Sequence, residues 1–146
     1  MHHTIETQLS VEVANTPGEI ARISDLLASR NLSVNAMSTA EGSGRGYFRF
    51  LSDEPDRAET TLRENGFSLA SERVIVVRLD DQKGKLVAIT NALAQMHINI
   101  DYFYASVDHV NPSTRLVMKV ENIPLATRIL EEIAKNPVES PAPSYA

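Results

Sequence analysis

Two short stretches carry the residue types needed for recognition chemistry. Asn15-Thr16-Pro17-Gly18-Glu19 and Asp80-Asp81-Gln82-Lys83-Gly84 each place polar or acidic side chains just before a Gly, and each runs into an amphipathic segment. Backbone amides at the start of a helix lack intrahelical acceptors and carry partial positive charge, and a Gly lets a ligand approach them closely. Such a turn suits a carboxylate. Acceptors at the strand exit, Asn15 in the first stretch and Asp80 and Asp81 in the second, could take an ammonium group. The same residues have plainer uses: Asn15 or Thr16 can cap the helix, Pro17 suits a first helical position, and Asp80 and Asp81 suit a solvated strand end.

Other chemistry finds little support. Cysteine is absent, which removes disulfides, thiolate metal sites and a cysteine nucleophile. The pair His2-His3 has too few partners to define a metal site, and residues 1–6 read as a frayed, polar terminus. No nucleophile elbow, no His-x-x-x-His spacing and no nucleotide fingerprint between strand and helix is present, so no catalytic residue, cofactor or metal is nominated. The acid pairs Asp53-Glu54 and Glu131-Glu132 fall at predicted helix ends, where solvation accounts for them. His97 falls at a helix C-terminus, where a cation is mildly favoured. The 14 basic and 19 acidic residues are spread without a like-charge block, which disfavours sequence-independent binding to nucleic acid or an anionic membrane. With no apolar run near the roughly 18 residues that span a bilayer and no signal-peptide segment, a cytoplasmic location is expected.

The elements that position the two turns form a repeat. Asn15 to Asn35, NTPGEIARISDLLASRNLSVN, returns 66 positions later (84 − 18) as DQKGKLVAITNALAQMHINID. Gly18 aligns with Gly84, Ile20 with Leu86, Ile23 with Ile89, Leu27 with Leu93 and Val34 with Ile100. A doubled unit follows, each copy about 70 residues and small for independent stability. In the first copy Leu9, Val11 and Val13 alternate as a strand, and Ile20, Ile23, Leu26 and Leu27 form a helical stripe. A second strand is expected from about Leu32 to Thr39, with Val34 and Ala36 inward and Asn35 and Met37 on the other face. The Gly-rich tip EGSGRG joins it to a third strand carrying Phe48 and Phe50. Because it links two strands rather than a strand and a helix, it reads as a hairpin, not a phosphate cradle.

A helix opening at Pro55, with Ala58 and Leu62 inward and Gly66 as its cap, leads to a fourth strand at 67–73. That strand runs almost directly into Val74-Ile75-Val76-Val77, apolar on both faces and expected to be covered on both. The second copy repeats the plan. Leu86, Ile89, Leu93 and Met96 form its first stripe, Ile98, Ile100, Tyr102 and Tyr104 alternate with Asn99, Asp101, Phe103 and Ala105, and a last helix carries Leu125, Ile129, Leu130 and Ile133. After Lys135 the proline-rich NPVESPAPSYA breaks the pattern, so the second copy's fourth strand is short, supplied from elsewhere or missing. The expected domains are 6–72 and 73–136, with a disordered tail at 137–146.

Each copy therefore reads β-α-β-β-α-β, an α+β class of two ferredoxin-like units with antiparallel sheets and helices on one face. The two Gly-turn segments, followed by strands opening L-S-V-N and I-N-I-D, resemble the ACT domain, a small amino-acid-sensing module of metabolic enzymes. The resemblance covers about Leu9 to Ala134 with no catalytic domain attached. It implies a non-catalytic, stand-alone tandem ACT protein that binds a free amino acid at the Gly turn. It also implies that the ligand's other wall is the start of the second strand of a neighbouring copy: Val34, Asn35 and Met37, or Ile100, Asp101 and Tyr102. Lys83 stands where the family usually has Pro. A regulatory subunit acting in trans on an amino-acid metabolic enzyme is the alternative. Small sheets with exposed edges also lead us to expect a homodimer. The RNA-recognition module shares this element order, and Arg45-Gly46-Tyr47 matches the opening of its third-strand signature. The positions that follow do not, since Phe48 and Arg49 replace a small residue and a stacking aromatic.

Overall fold

A computed structural model describes residues 2–42, 44–79, 84–108 and 113–135, with the backbone alone at 107 and 108. Its first strand, β1 (His2–Ala14), is longer than the alternating run that starts at Leu9. It is followed by α1 (Glu19–Ser29), β2 (Ala36–Glu41), β3 (Arg45–Leu51), α2 (Pro55–Glu64), β4 (Leu69–Leu79), α3 (Lys85–Gln95), β5 (Ile100–Asp108), β6 (Ser113–Val120) and α4 (Ile123–Lys135). The chain divides into two compact units, Glu6–Arg73 and Met1–Ile5 with Val74–Ala146. The expected tail at 137–146 lies outside the described residues, as do Asp80, Asp81, Gln82 and Lys83.

In the unit Glu6–Arg73 the strand order is β2-β3-β1-β4, that of a ferredoxin-like sheet. Antiparallel pairing sets Leu9 opposite Phe50 and Val11 opposite Phe48. These four, with Val13, share a core with Ile23 and Leu27 of α1 and Ala58 and Leu62 of α2, so both helices cover one face. Full burial of each large side chain contributes roughly 1.5–3 kcal/mol. The stripe expected on α1 is narrower than the periodicity implied, because Ile20 is 38% exposed and Leu26 only half-buried. Ile20 occupies the first turn of α1.

In the other unit the order is β1-β4-β6-β5. Its fourth strand comes from the chain's first residues: residues 2–5 of β1 belong here, while β1 from Glu6 onward belongs to the first unit. Residues 1–6, read as a frayed terminus, are thus strand from His2 onward. Ile75, Val77, Ile89, Leu93, Ile98, Leu116, Met118, Val120, Ala126 and Leu130 make the core. All four residues Val74 to Val77 are buried, as their two apolar faces imply. Leu86 and Met96 are exposed, so here too the stripe is confined to its middle members, Ile89 and Leu93.

Register corrects two alternations. Residues 32–35 are not strand, and β2 begins only at Ala36. Met37 lies opposite Phe50 on the helix-bearing face, while Ala36 lies opposite Leu51 on the other. In β5 an irregularity at Asp101 shifts the pairing between Ile100 and Tyr102. A bulge of one residue reverses the parity of everything after it. Phe103 therefore faces with Met118, and Tyr102 and Tyr104 face with Lys119 and Val117, away from the core that holds Ile98 and Ile100.

Candidate functional site

Gly18 and Gly84 adopt one backbone geometry. Gly18 has φ 93° and ψ −10° and stands as N-cap of α1; Gly84 has φ 90° and ψ −4° and stands as N-cap of α3. Such left-handed dihedrals favour glycine, and a Cβ built on Gly18 meets nothing within 4 Å, so the constraint at Gly18 lies in the backbone alone. Neither helix has a side-chain cap. The capping use of Asn15 or Thr16 is therefore not realised, and Pro17 precedes the N-cap rather than opening the helix. The first-turn amides of α1 are thus left without an acceptor from Asn15 or Thr16. That is the arrangement a carboxylate needs.

Asn15, Thr16, Pro17 and Gly18 are exposed and Glu19 is half-buried. The Thr16 amide donates to the Ala14 carbonyl at 2.8 Å, tightening the strand exit. Asn15 Nδ2 donates to Glu41 Oε1 at 3.3 Å, which directs the amide oxygen of Asn15 elsewhere. Glu41, at the end of β2, thus joins the turn as a second acceptor suited to an ammonium group. The sequence gives no local sign of this, because the meeting of Glu41 and Asn15 depends on β2, β3 and β1 lying side by side. Beyond the Gly, Glu19 faces Arg22 at 4.0 Å, and Arg22 donates to the Asn65 carbonyl at 3.2 Å and lies 4.4 Å from the Phe67 ring centre. The residue of α3 that corresponds to Glu19 is Lys85, so the two helices share the conformation of their N-cap Gly and open on opposite charges.

The second-strand residues lie away from the turn of their own unit. Ala14, at the turn, pairs with Arg45, whereas Met37 pairs with Phe50 and Phe50 with Leu9. Five positions along β1 separate these ends, about 17 Å at roughly 3.4 Å per residue. Val34 packs on the core, and Asn35 donates from Nδ2 to Asp53 Oδ1 at 2.6 Å and from its amide to the Leu51 carbonyl at 2.8 Å. In the other unit Ile100 packs on the core, Tyr102 is half-buried, and Asp101 accepts from Asn99 Nδ2 at 3.0 Å. Each unit therefore carries a turn and a strand start on opposite ends of its sheet.

Two further positions recur with the repeat. Ile20 and Leu86 are 38% and 41% exposed, and Met37 and Phe103 are 59% and 51% exposed. Met37 and Phe103 lie on the outermost strands, β2 and β5, on the helix-bearing face. Among the described residues no group of three or more His, Asp or Glu side chains is placed to hold a metal. None of the helices there is long and apolar enough to cross a membrane.

Two ferredoxin-like units in tandem, each opening its first helix with an uncapped left-handed Gly, are the frame of an ACT-domain protein. The chain belongs to the ACT domain pair family, whose profile matches residues 3–137. No curated protein matches it. Among solved structures, protein BT0572 from Bacteroides thetaiotaomicron is similar, with 23% identity, 90% of each chain covered and a TM-score of 0.82. The ligand-free regulatory subunit of aspartate kinase from Thermus thermophilus is similar over 90% of this chain and 97% of that one, at 16% identity and a TM-score of 0.65. A structure of aspartokinase alpha and beta subunits shares 18% identity, with 92% and 98% covered and a TM-score of 0.63.

Proposed function

We propose that the protein is a non-catalytic, cytoplasmic sensor of a free amino acid, held at the Gly turn that opens α1 or α3. The observation that carries this reading is the repeated N-cap glycine, left-handed and without a side-chain cap, in both units of an ACT pair. The carboxylate sits on the helix amides, and the ammonium group meets Asn15 and Glu41 at the first turn and Asp80 and Asp81 at the second. Because each unit's strand start lies far from its own turn, the other wall comes from a neighbouring copy, which gives dimerisation a functional reason. Exposed Met37 and Phe103 on the outer strands supply apolar surface for a homodimer. The test is a thermal-shift screen of the purified chain against the twenty amino acids. A ligand at one hundred times its dissociation constant adds about 2.7 kcal/mol, a rise of roughly 5–10 °C for a chain of this size. One hit, lost on Asn15→Ala or Asp80→Ala, supports sensing and identifies the turn; a flat screen counts against it.

A second reading is that the protein acts in trans as the regulatory subunit of an amino-acid metabolic enzyme. Its support is the match over nearly the whole of a chain described as an aspartate kinase regulatory subunit. Co-purification of a metabolic enzyme from the native host favours it, and recovery of the chain alone disfavours it.

A further inference from the structure

We propose that residues 2–5 are a built-in guard strand, which keeps the β4 edge of the unit Val74–Ala146 from pairing with the same edge of a second copy. This inference rests on strand order and burial, and is independent of any ligand. The unit's sheet runs β1-β4-β6-β5, and the portion of β1 that belongs to it is residues 2–5. Without them the outer strand is β4, whose other neighbour in this unit is β6.

The guard buries little of its side chains. None of residues 2–5 belongs to the unit's core cluster, and His2, Thr4 and Ile5 are exposed, Ile5 by 37%. A short strand that buries so little side-chain surface opens at lower free energy than the core beside it. The part of β4 in this unit opens with Val74-Ile75-Val76-Val77, four β-branched residues with no charge and no proline. An uncovered strand of this composition is a template for another chain. A second copy is the fitting occupant. Two chains that each carry a formal charge of −5 repel over most of their surfaces, and this uncharged run lets identical strands meet without opposing charges.

The experiment compares four chains by light scattering over a concentration series, with amide exchange as the folding control. They are the full chain, a chain lacking residues 2–5, His2→Gly/His3→Ser/Thr4→Gly/Ile5→Ser, and the strand-forming His2→Thr/His3→Val/Ile5→Val. The deletion and the Gly/Ser chain are expected to show at least twice the weight-average mass of the full chain, rising with concentration, while α1 and β3 keep their amide protection. The strand-forming chain is expected to keep the full chain's mass. Three results overturn the proposal: an unchanged mass on deletion, loss of protection throughout both units, or association of the strand-forming chain.

Discussion

At the scale of single residues, left-handed positions are the most informative. Gly18 and Gly84 stand out in the sequence because each falls at the same place in a repeat, and both adopt the conformation glycine favours. Gly18→Ala is expected to cost about 1–2 kcal/mol in urea denaturation through backbone strain alone, since the added methyl meets no neighbour. A second pair, Asn31 and His97, has φ 55° and 56°. Each ends its helix by the same bonds: the Leu32 amide reaches Leu27 and the Asn31 amide Ala28, as Ile98 reaches Leu93 and His97 reaches Ala94. Asn tolerates this conformation and His does so less well. His97→Gly is therefore expected to stabilise the protein by up to about 1 kcal/mol, seen as a higher denaturation midpoint with an unchanged slope. A loss of stability would show that the His97 side chain has a role beyond ending the helix. Glu41 marks the limit of reading residues from sequence, since it reaches Asn15 only through strand order, which no local pattern reveals.

At the scale of elements, periodicity identified the helices and most strands but not where their burial stops. A 3.6-residue stripe shows that Ile20, Ile23 and Leu27 share a face, but not that Ile23 and Leu27 are fully buried while Ile20 is 38% exposed. Leu27→Ala is expected to cost about 2–5 kcal/mol and Ile20→Ala under about 1, a contrast that paired chemical denaturation curves can measure. Comparable losses at both would mean that Ile20 is covered in solution, as in a dimer. Alternation in β5 misled for a different reason. Ile100, Tyr102 and Tyr104 keep period two across Asp101, yet the pairing slips there and turns the tyrosines to the opposite face. Of the three expectations for the second copy's fourth strand, supply from elsewhere is the one met, but its source is illegible because His2-His3-Thr4-Ile5 has no amphipathic pattern and lies about half the chain away from β4.

At the scale of the whole molecule, the family and the doubled fold follow from one repeated segment, while ligand and assembly do not. The reading of a site completed by a neighbouring copy requires association: light scattering at micromolar concentration is expected to give twice the monomer mass of 16.1 kDa. A monomer there would remove the proposed second wall. The central claim, that the Gly-turn amides hold a ligand carboxylate, is tested most directly by amide nuclear magnetic resonance during titration with the amino acid found in the thermal screen. The account predicts the largest shifts at the amides of 18–20 or 84–86, saturating with the ligand and absent when the carboxylate is replaced by a carboxamide. Saturating shifts centred elsewhere, or equal binding of the carboxamide, would contradict it.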